Sequence, residues 1–366
     1  MKFTLSTKPL KNATDLGIIK ANITKYFYRS NVVQLTATRD TLTINIEASS
    51  IKTKMILQGS GDEDTPASTM VDCSMFKSLI DSIDNDIITI EFIAGGIYIH
   101  AGTSKFAISQ LIDVNDMQLT DPISEYTPET TITLNPTEWQ FIRDHQMYAL
   151  AKKEDHPVYK NVWVNANKDT IVGDYDASLF TYSTCSNFGS TCLLPATLIN
   201  LFTSIPESST LSKVGKSYLL NIETDSYSMV TEITPKYEDD EAVGSYNSEI
   251  ILGMLKHPEK YITLNVLPIS KFISQTAILK QSSMNPILNF TLSNDELTIS
   301  DRSNSYTAQV SSDESYTVKF SVDLFKSVIS NFDAEVINVA PMIRGDRTIG
   351  CIFWTDNLTV LLAGQG

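Results

Sequence analysis

Histidine, cysteine and long apolar runs are the scarce ingredients of this 366-residue chain. Its four cysteines, Cys73, Cys185, Cys192 and Cys351, include no C-x-x-C pair. That argues against a zinc site and a disulfide framework, and leaves reduced, buried thiols as the expectation. The four histidines, His100, His145, His156 and His257, are scattered. Asp155-His156 near His145 hints at a metal, but one helix plus a proline-containing loop seldom builds such a site. No apolar run approaches the roughly 18 residues of a membrane span, and no signal-peptide hydrophobic region opens the sequence. A cytoplasmic protein without a cofactor is therefore expected. Phosphate-binding glycine loops, basic tails and low-complexity tracts are missing as well. Asp174 and Asp176 fall on the same side of a strand and mimic a catalytic carboxylate pair, yet no histidine or metal string accompanies them. Cys73 and Ser74 open a helix and read as packing and capping, and Arg344-Gly-Asp346 reads as a turn.

What is present is a repeat. Phe76, Leu79, Ile80 and Ile83 lie at i, i+3, i+4 and i+7, one face of a helix. The spacing returns at Leu198, Leu201, Phe202 and Ile205, and at Phe325, Val328, Ile329 and Phe332. Phe3-Thr-Leu-Ser6 recurs as Ile132-Thr-Leu-Asn135 and Ile262-Thr-Leu-Asn265, each followed by a helix-patterned stretch (8–23, 136–153, 267–281) with a proline near its start. Val33–Ile44, Val162–Gly173 and Leu288–Ile299 align as hairpins turning at Asp40, Asp169 and Asp295. In the first copy two strands close the unit, Ile87–Phe92 and Ile97–Ile108, parted by Gly95-Gly96. The acidic segments 113–130 and 236–259 are expected to run as extended surface linkers. Three tandem α+β domains follow, at 1–122, 123–250 and 251–366, with helices on one face of antiparallel sheets. A 366-residue chain exceeds what one core usually holds.

The net charge of −15 by itself argues against nucleic acid. Its distribution does not. The six helical stretches (8–23, 74–83, 136–153, 195–205, 267–281, 322–332) carry ten Lys and Arg against five Asp and Glu, so the acid lies on strands and loops. At physiological salt the Debye length is about 8 Å, and a polyanion against the helices would feel their cations more than the acidic sheets behind. Basic residues without interleaved aromatics imply sequence-blind phosphate contact, not base readout.

In element order, length and local strings the chain resembles the bacterial DNA polymerase sliding clamp, the beta subunit of the replicative polymerase. The strings are the Met1-Lys-Phe-Thr4 opening, Gly102-Thr-Ser-Lys-Phe-Ala-Ile-Ser109, which is similar to a segment ending domain one of that family, and Ala277-Ile-Leu279 before the third hairpin. The resemblance implies a non-catalytic ring: a head-to-tail homodimer encircling duplex DNA and recruiting the polymerase and the clamp loader through short peptide motifs. The channel candidates are Lys8, Lys11, Lys20, Lys77, Arg143, Lys152, Lys153, Lys271, Lys280 and Lys326; each reads equally as a solvated surface residue. Phe106 would meet Ile278 and Leu279 of a neighbouring subunit, or serve as ordinary domain-one core. The family's partner pocket maps onto Ala177, Leu179, Phe180, Val360, Leu361 and Leu362, which read alternatively as sheet core. Of the family's pocket string only the aspartate survives in Tyr175-Asp-Ala-Ser-Leu-Phe180, and the usual closing Met-Pro-Met-Arg-Leu is absent. Such divergence points to a phage-encoded or otherwise remote member. The alternatives are a scaffold protein of repeated α+β domains, and a hydrolase using Asp174 and Asp176.

Overall fold

A computed structural model describes residues 1–17, 32–48, 51–111, 119–146, 161–165, 170–175, 179–184, 192–195, 198–199, 202, 205–206, 209–234, 256–278 and 287–365. The first copy comprises β1 (Lys2–Ser6), α1 (Thr7–Gly17), β2 (Val32–Ala37), β3 (Thr41–Ala48), β4 (Ile51–Gln58), β5 (Ser60–Gly61), β6 (Ala67–Asp72), α2 (Cys73–Ser82), β7 (Ile87–Ile93), β8 (Gly96–Ala101) and β9 (Ser104–Ser109). The second has β10 (Thr130–Thr133), α3 (Pro136–Phe141) running into a π-helical turn (Ile142–Gln146), β11 (Asn161–Asn165), β12 (Thr170–Tyr175), β13 (Leu179–Thr184), β14 (Cys192–Pro195), β15 (Ser209–Val214), β16 (Ser217–Glu223) and β17 (Tyr227–Ile233). The third has β18 (Ile262–Asn265), α4 (Val266–Ile278), β19 (Ile287–Ser293), β20 (Glu296–Ser300), β21 (Ser305–Gln309), β22 (Tyr316–Ser321), α5 (Val322–Ser330), β23 (Val336–Arg344), β24 (Arg347–Trp354) and β25 (Leu358–Ala363).

Period-two patterning makes the strands. Leu42, Ile44 and Ile46 on β3 are buried while their neighbours are not. Turn chemistry closes the hairpins: Asn294 and Asp295 adopt φ of 51° and 61° between β19 and β20, the paired left-handed conformation of a tight two-residue loop. The stretch 97–108, expected as one strand, is a hairpin. It reverses at Gly102, whose φ of 59° suits a residue without Cβ, and splits into β8 and β9.

Helices α2 and α5 match their predicted spans closely. The cap of α2 is neither Cys73 nor Ser74 but Asp72, whose carboxylate accepts the Met75 amide at 2.8 Å. Within 195–205 only Leu198 and Ile199 are helical among the described residues, and Pro195 ends a strand instead. Leu198, Ile199, Phe202 and Ile205 are nevertheless buried, and the Trp139 indole donates to the Phe202 carbonyl at 2.9 Å.

The sheets do not respect the copies. Two eight-stranded antiparallel sheets run in the orders β10-β15-β16-β17-β4-β3-β2-β6 and β14-β11-β12-β13-β25-β24-β23-β18. The first is continuous across copies one and two through β17 and β4, the second across copies two and three through β13 and β25. Two smaller sheets, β5-β1-β7-β8-β9 and β21-β20-β19-β22, lie within single copies. The chain accordingly divides into two compact units, Met1–Trp139 with Thr197–Glu238, and Gln140–Ala196 with Asp239–Gly366.

In the first unit the β4–β17 seam carries side-chain links besides its ladder. The Thr53 and Thr231 hydroxyls meet at 3.1 Å in the interior, and Lys52 lies 3.6 Å from the buried carboxylate of Glu232. The described part of the expected linker, from Leu119, is a strap held against this sheet. Thr120 N donates to Glu47, Ile123 N donates to Glu232, and Asp121 accepts from Asn45 and Lys54.

The second unit is centred on Phe290, Phe320, Phe325 and Phe353. The ring of Phe325 stacks on Phe320 at 5.5 Å and 12° and meets Phe290 and Phe353 edge-on or tilted. Replacing Phe325 by Ala should lower unfolding free energy by about 3–5 kcal/mol, measurable by urea titration. Burial pushes the Cys73 thiol up to about 12, helped by the neighbouring Asp72 charge, and raises that of Cys351 also. Both should stay unmodified by iodoacetamide in the native protein at neutral pH and react once it unfolds, as peptide mapping would show.

Candidate functional site

The described lysines of the helices fall into two groups. On α1, Lys8 is exposed, while the Lys11 ammonium donates to the Asp81 carbonyl at 3.1 Å. Lys77 of α2 is the more constrained. Its side chain is 17% exposed and its ammonium donates to Asp15 Oδ1 at 2.6 Å and to the Asp81 carboxylate. Those carboxylates are themselves 64% and 50% exposed. Burial pulls the Lys77 pKa down, but the bonds from Asp15 and Asp81 outweigh it and hold it above the ordinary lysine value. On the other unit, Lys271 stands exposed on α4, a helix whose residues 266–278 hold no carboxylate, and Lys326 stands exposed on α5. Arg143 is half-buried in the π-helical turn. Lys20, Lys152, Lys153 and Lys280 lie outside the described residues.

Phe106 sits on β9, at the end of its sheet, and is 37% exposed, as an ordinary core residue would not be. Ile278 ends α4; Leu279 lies outside the described residues. Beside α4 runs β21, the free edge of its own sheet, whose Tyr306 ring packs 6.0 Å from Phe272. Sequence pattern did not single out Tyr306 or Phe272; an alternating strand of Ser-Tyr-Thr-Ala-Gln carries too little apolar contrast.

Of the pocket residues, Leu179 and Phe180 are on β13, opposite Leu362 and Leu361 of β25. Val360, Leu361 and Leu362 are 0%, 3% and 0% exposed, and Val360 and Leu362 belong to the phenylalanine-centred core. Ala177 lies outside the described residues.

Only part of the metal and hydrolase candidates falls within the described residues. The His145 Nδ1–H donates to the Asn331 carbonyl at 3.0 Å, and Asn331 Nδ2 donates back to the His145 carbonyl; Asp155 and His156 lie outside the described residues. Asp174 is on β12 opposite Phe180, and Asp176 is outside the described residues. Among the described residues, no three His, Cys, Asp or Glu side chains converge as metal ligands, and no helix is long and apolar enough to cross a membrane.

Solved structures match this arrangement from end to end. A protein assigned as a DNA polymerase III beta subunit in Eubacterium rectale superposes with a TM-score of 0.78 at 13% identity, covering all of both chains. The DNA polymerase sliding clamp of Caulobacter crescentus gives 0.75 at 14%, and the DNA polymerase III subunit beta of Pseudomonas aeruginosa 0.73 at 16%, again over the whole of both chains. The chain has the sliding-clamp fold. No protein-family model and no curated protein matches the sequence. Among the described residues, exposed helical lysines and the sheet edges β9 and β21 are open to a partner.

Proposed function

We propose that the chain is a DNA polymerase processivity factor. Two copies close head to tail into a ring around duplex DNA, tether the replicative polymerase and catalyse nothing themselves. The three domains are those at 1–122, 123–250 and 251–366, and the basic helices face the DNA. Polymerase and loader dock through short peptides at the β13–β25 seam, where the resemblance puts the partner pocket.

One observation carries the ring: the chain's two free edges are counterparts of edges already joined. At each boundary between copies, the third strand of the repeat's sheet (β4, β13) pairs with the last strand of the next copy (β17, β25). The same strands at the chain's extremes, β21 and β9, end their sheets without a neighbour among the described residues. Joined, they would give the order β22-β19-β20-β21-β9-β8-β7-β1, the pattern of the two eight-stranded sheets, with the two-residue β5 added beyond β1. Natural proteins guard edge strands with charges or prolines. β21 has neither, and the one charge on β9, Lys105, lies over the Tyr98 ring and 3.5 Å from Glu91. A ring closed in this way holds DNA by topology, so weak phosphate contact suffices.

The register follows from the repeat. Tyr227 and Leu358, first residues of β17 and β25, pair with Leu57 and Ser183. The equivalent residues are Ser104, first of β9, and Ala308, which opposes Leu297 as Leu57 opposes Leu42. Ser104 would then face Ala308, and Phe106 would face Tyr306.

Light scattering should report a species of twice 40.6 kDa, and the loaded protein should be retained on nicked circular DNA and lost when the circle is cut. Equal retention on both forms would refute topological binding. Paired Ser104→Cys and Ala308→Cys should cross-link the subunits under mild oxidation, since facing Cα atoms in an antiparallel pair lie about 4.5–5.5 Å apart. Ser104→Cys with Thr307→Cys, out of register by one residue, should not.

A further inference from the structure

Lys77 is the one described channel candidate whose ammonium is enclosed by two carboxylates. We infer that Asp15 and Asp81 set the clamp's grip on DNA: they occupy Lys77, so that the α1–α2 face meets the duplex as a near-neutral sliding surface while Lys271 of α4 supplies attraction. The inference rests on the proposed function, because it takes the helices to face DNA.

The geometry supports it in three ways. First, the lysine is the recessed partner and the acids are the outer ones, 17% against 64% and 50% exposed. A phosphate approaching this face meets carboxylate oxygens before it meets the ammonium. Second, to reach a phosphate Lys77 must surrender two charge-assisted hydrogen bonds, each stronger than a neutral one, for one solvated contact. Third, the neighbouring lysine is held as well, since the Lys11 ammonium donates to the backbone carbonyl of Asp81, a bond that does not depend on the acid. Of the lysines described on this helix pair only Lys8 is left exposed and outside the network. On α4, by contrast, Lys271 has no carboxylate on its own helix, residues 266–278. A counterion that is part of the protein is not released when DNA binds, so Lys77 adds nothing to the salt-dependent term that drives phosphate contact.

The test is binding of the full dimeric protein to a short linear duplex of mixed sequence, followed by fluorescence anisotropy over a range of potassium chloride. Asp15→Asn with Asp81→Asn should tighten binding several-fold at low salt and steepen the log affinity against log salt slope by about 0.9 for each Lys77 released. Lys77→Ala with Asp81→Asn removes one charge of each sign and should leave both affinity and slope unchanged. Lys271→Ala should make the slope shallower by about 0.9 for each lysine lost. Superposable thermal melts exclude misfolding as the cause. If the charge-conserving pair loses affinity as Lys271→Ala does, Lys77 touches phosphate and the inference fails. It fails too if the double Asn variant binds as the unaltered protein does while Lys271→Ala weakens binding. A flat response from every variant, Lys271→Ala included, would overturn the assignment of these helices to DNA and the inference with it.

Discussion

A β-strand with an open side is a row of unspent hydrogen-bond donors and acceptors, and the architecture of this protein is governed by where those rows end. Within the chain, both boundaries between copies are sealed backbone to backbone, β4 on β17 and β13 on β25. A helix-to-helix boundary could slip or hinge. A seven-residue antiparallel ladder such as that from Tyr227 to Ile233 fixes register, because a shift by one residue would turn every side chain to the wrong face. Within each compact unit the strands of adjoining copies are therefore welded.

The electrostatics follow a similar division between what is fixed and what is left available. Part of the chain's acidity is structural: Glu232 and Asp121 anchor the strap, and Glu91 accepts from the His100 ring and draws on Lys105 and Lys2, which holds its carboxyl below the usual range. The proposed function, holding DNA without stopping on it, calls for attraction that is diffuse and shallow. An acidic body with a few exposed lysines on its helices meets that need better than a uniformly basic surface, which would also collect nucleic acid indiscriminately.

Much of the fold was legible because its signals are local. The Phe76, Phe325 and Leu198 periodicities located buried faces, and Asp40 and Asp295 marked hairpin turns that the backbone confirms. Reading 97–108 as one strand failed because Gly102-Thr103 looks like a mild interruption unless one knows that the chain must return to build an edge. The residues near the ends of helical stretches were harder still, since 195–205 keeps an apolar face while little of it is helical among the described residues. Charges were counted correctly but could not be paired. The Lys77–Asp81 spacing of four was visible as a helical ion pair, whereas Asp15 joins it only through the packing of α1 on α2. The partnership of β4 with β17, some 170 residues apart in sequence, has no local signature at all.

The buried Glu232 at the β4–β17 seam bears on how the chain assembles correctly. A backbone ladder cannot tell one counterpart from another, so while folding β4 has three strands of like shape to choose from: β9, β17 and β25. Only β17 brings a carboxylate opposite Lys52; the matching positions of β9 and β25 hold Ser109 and Ala363. A wrong choice strands the ammonium beside a hydroxyl or a methyl group and leaves Glu232 without its cation in the interior. One ion pair thus serves as an address, written in charge, on a junction whose hydrogen bonds are otherwise interchangeable.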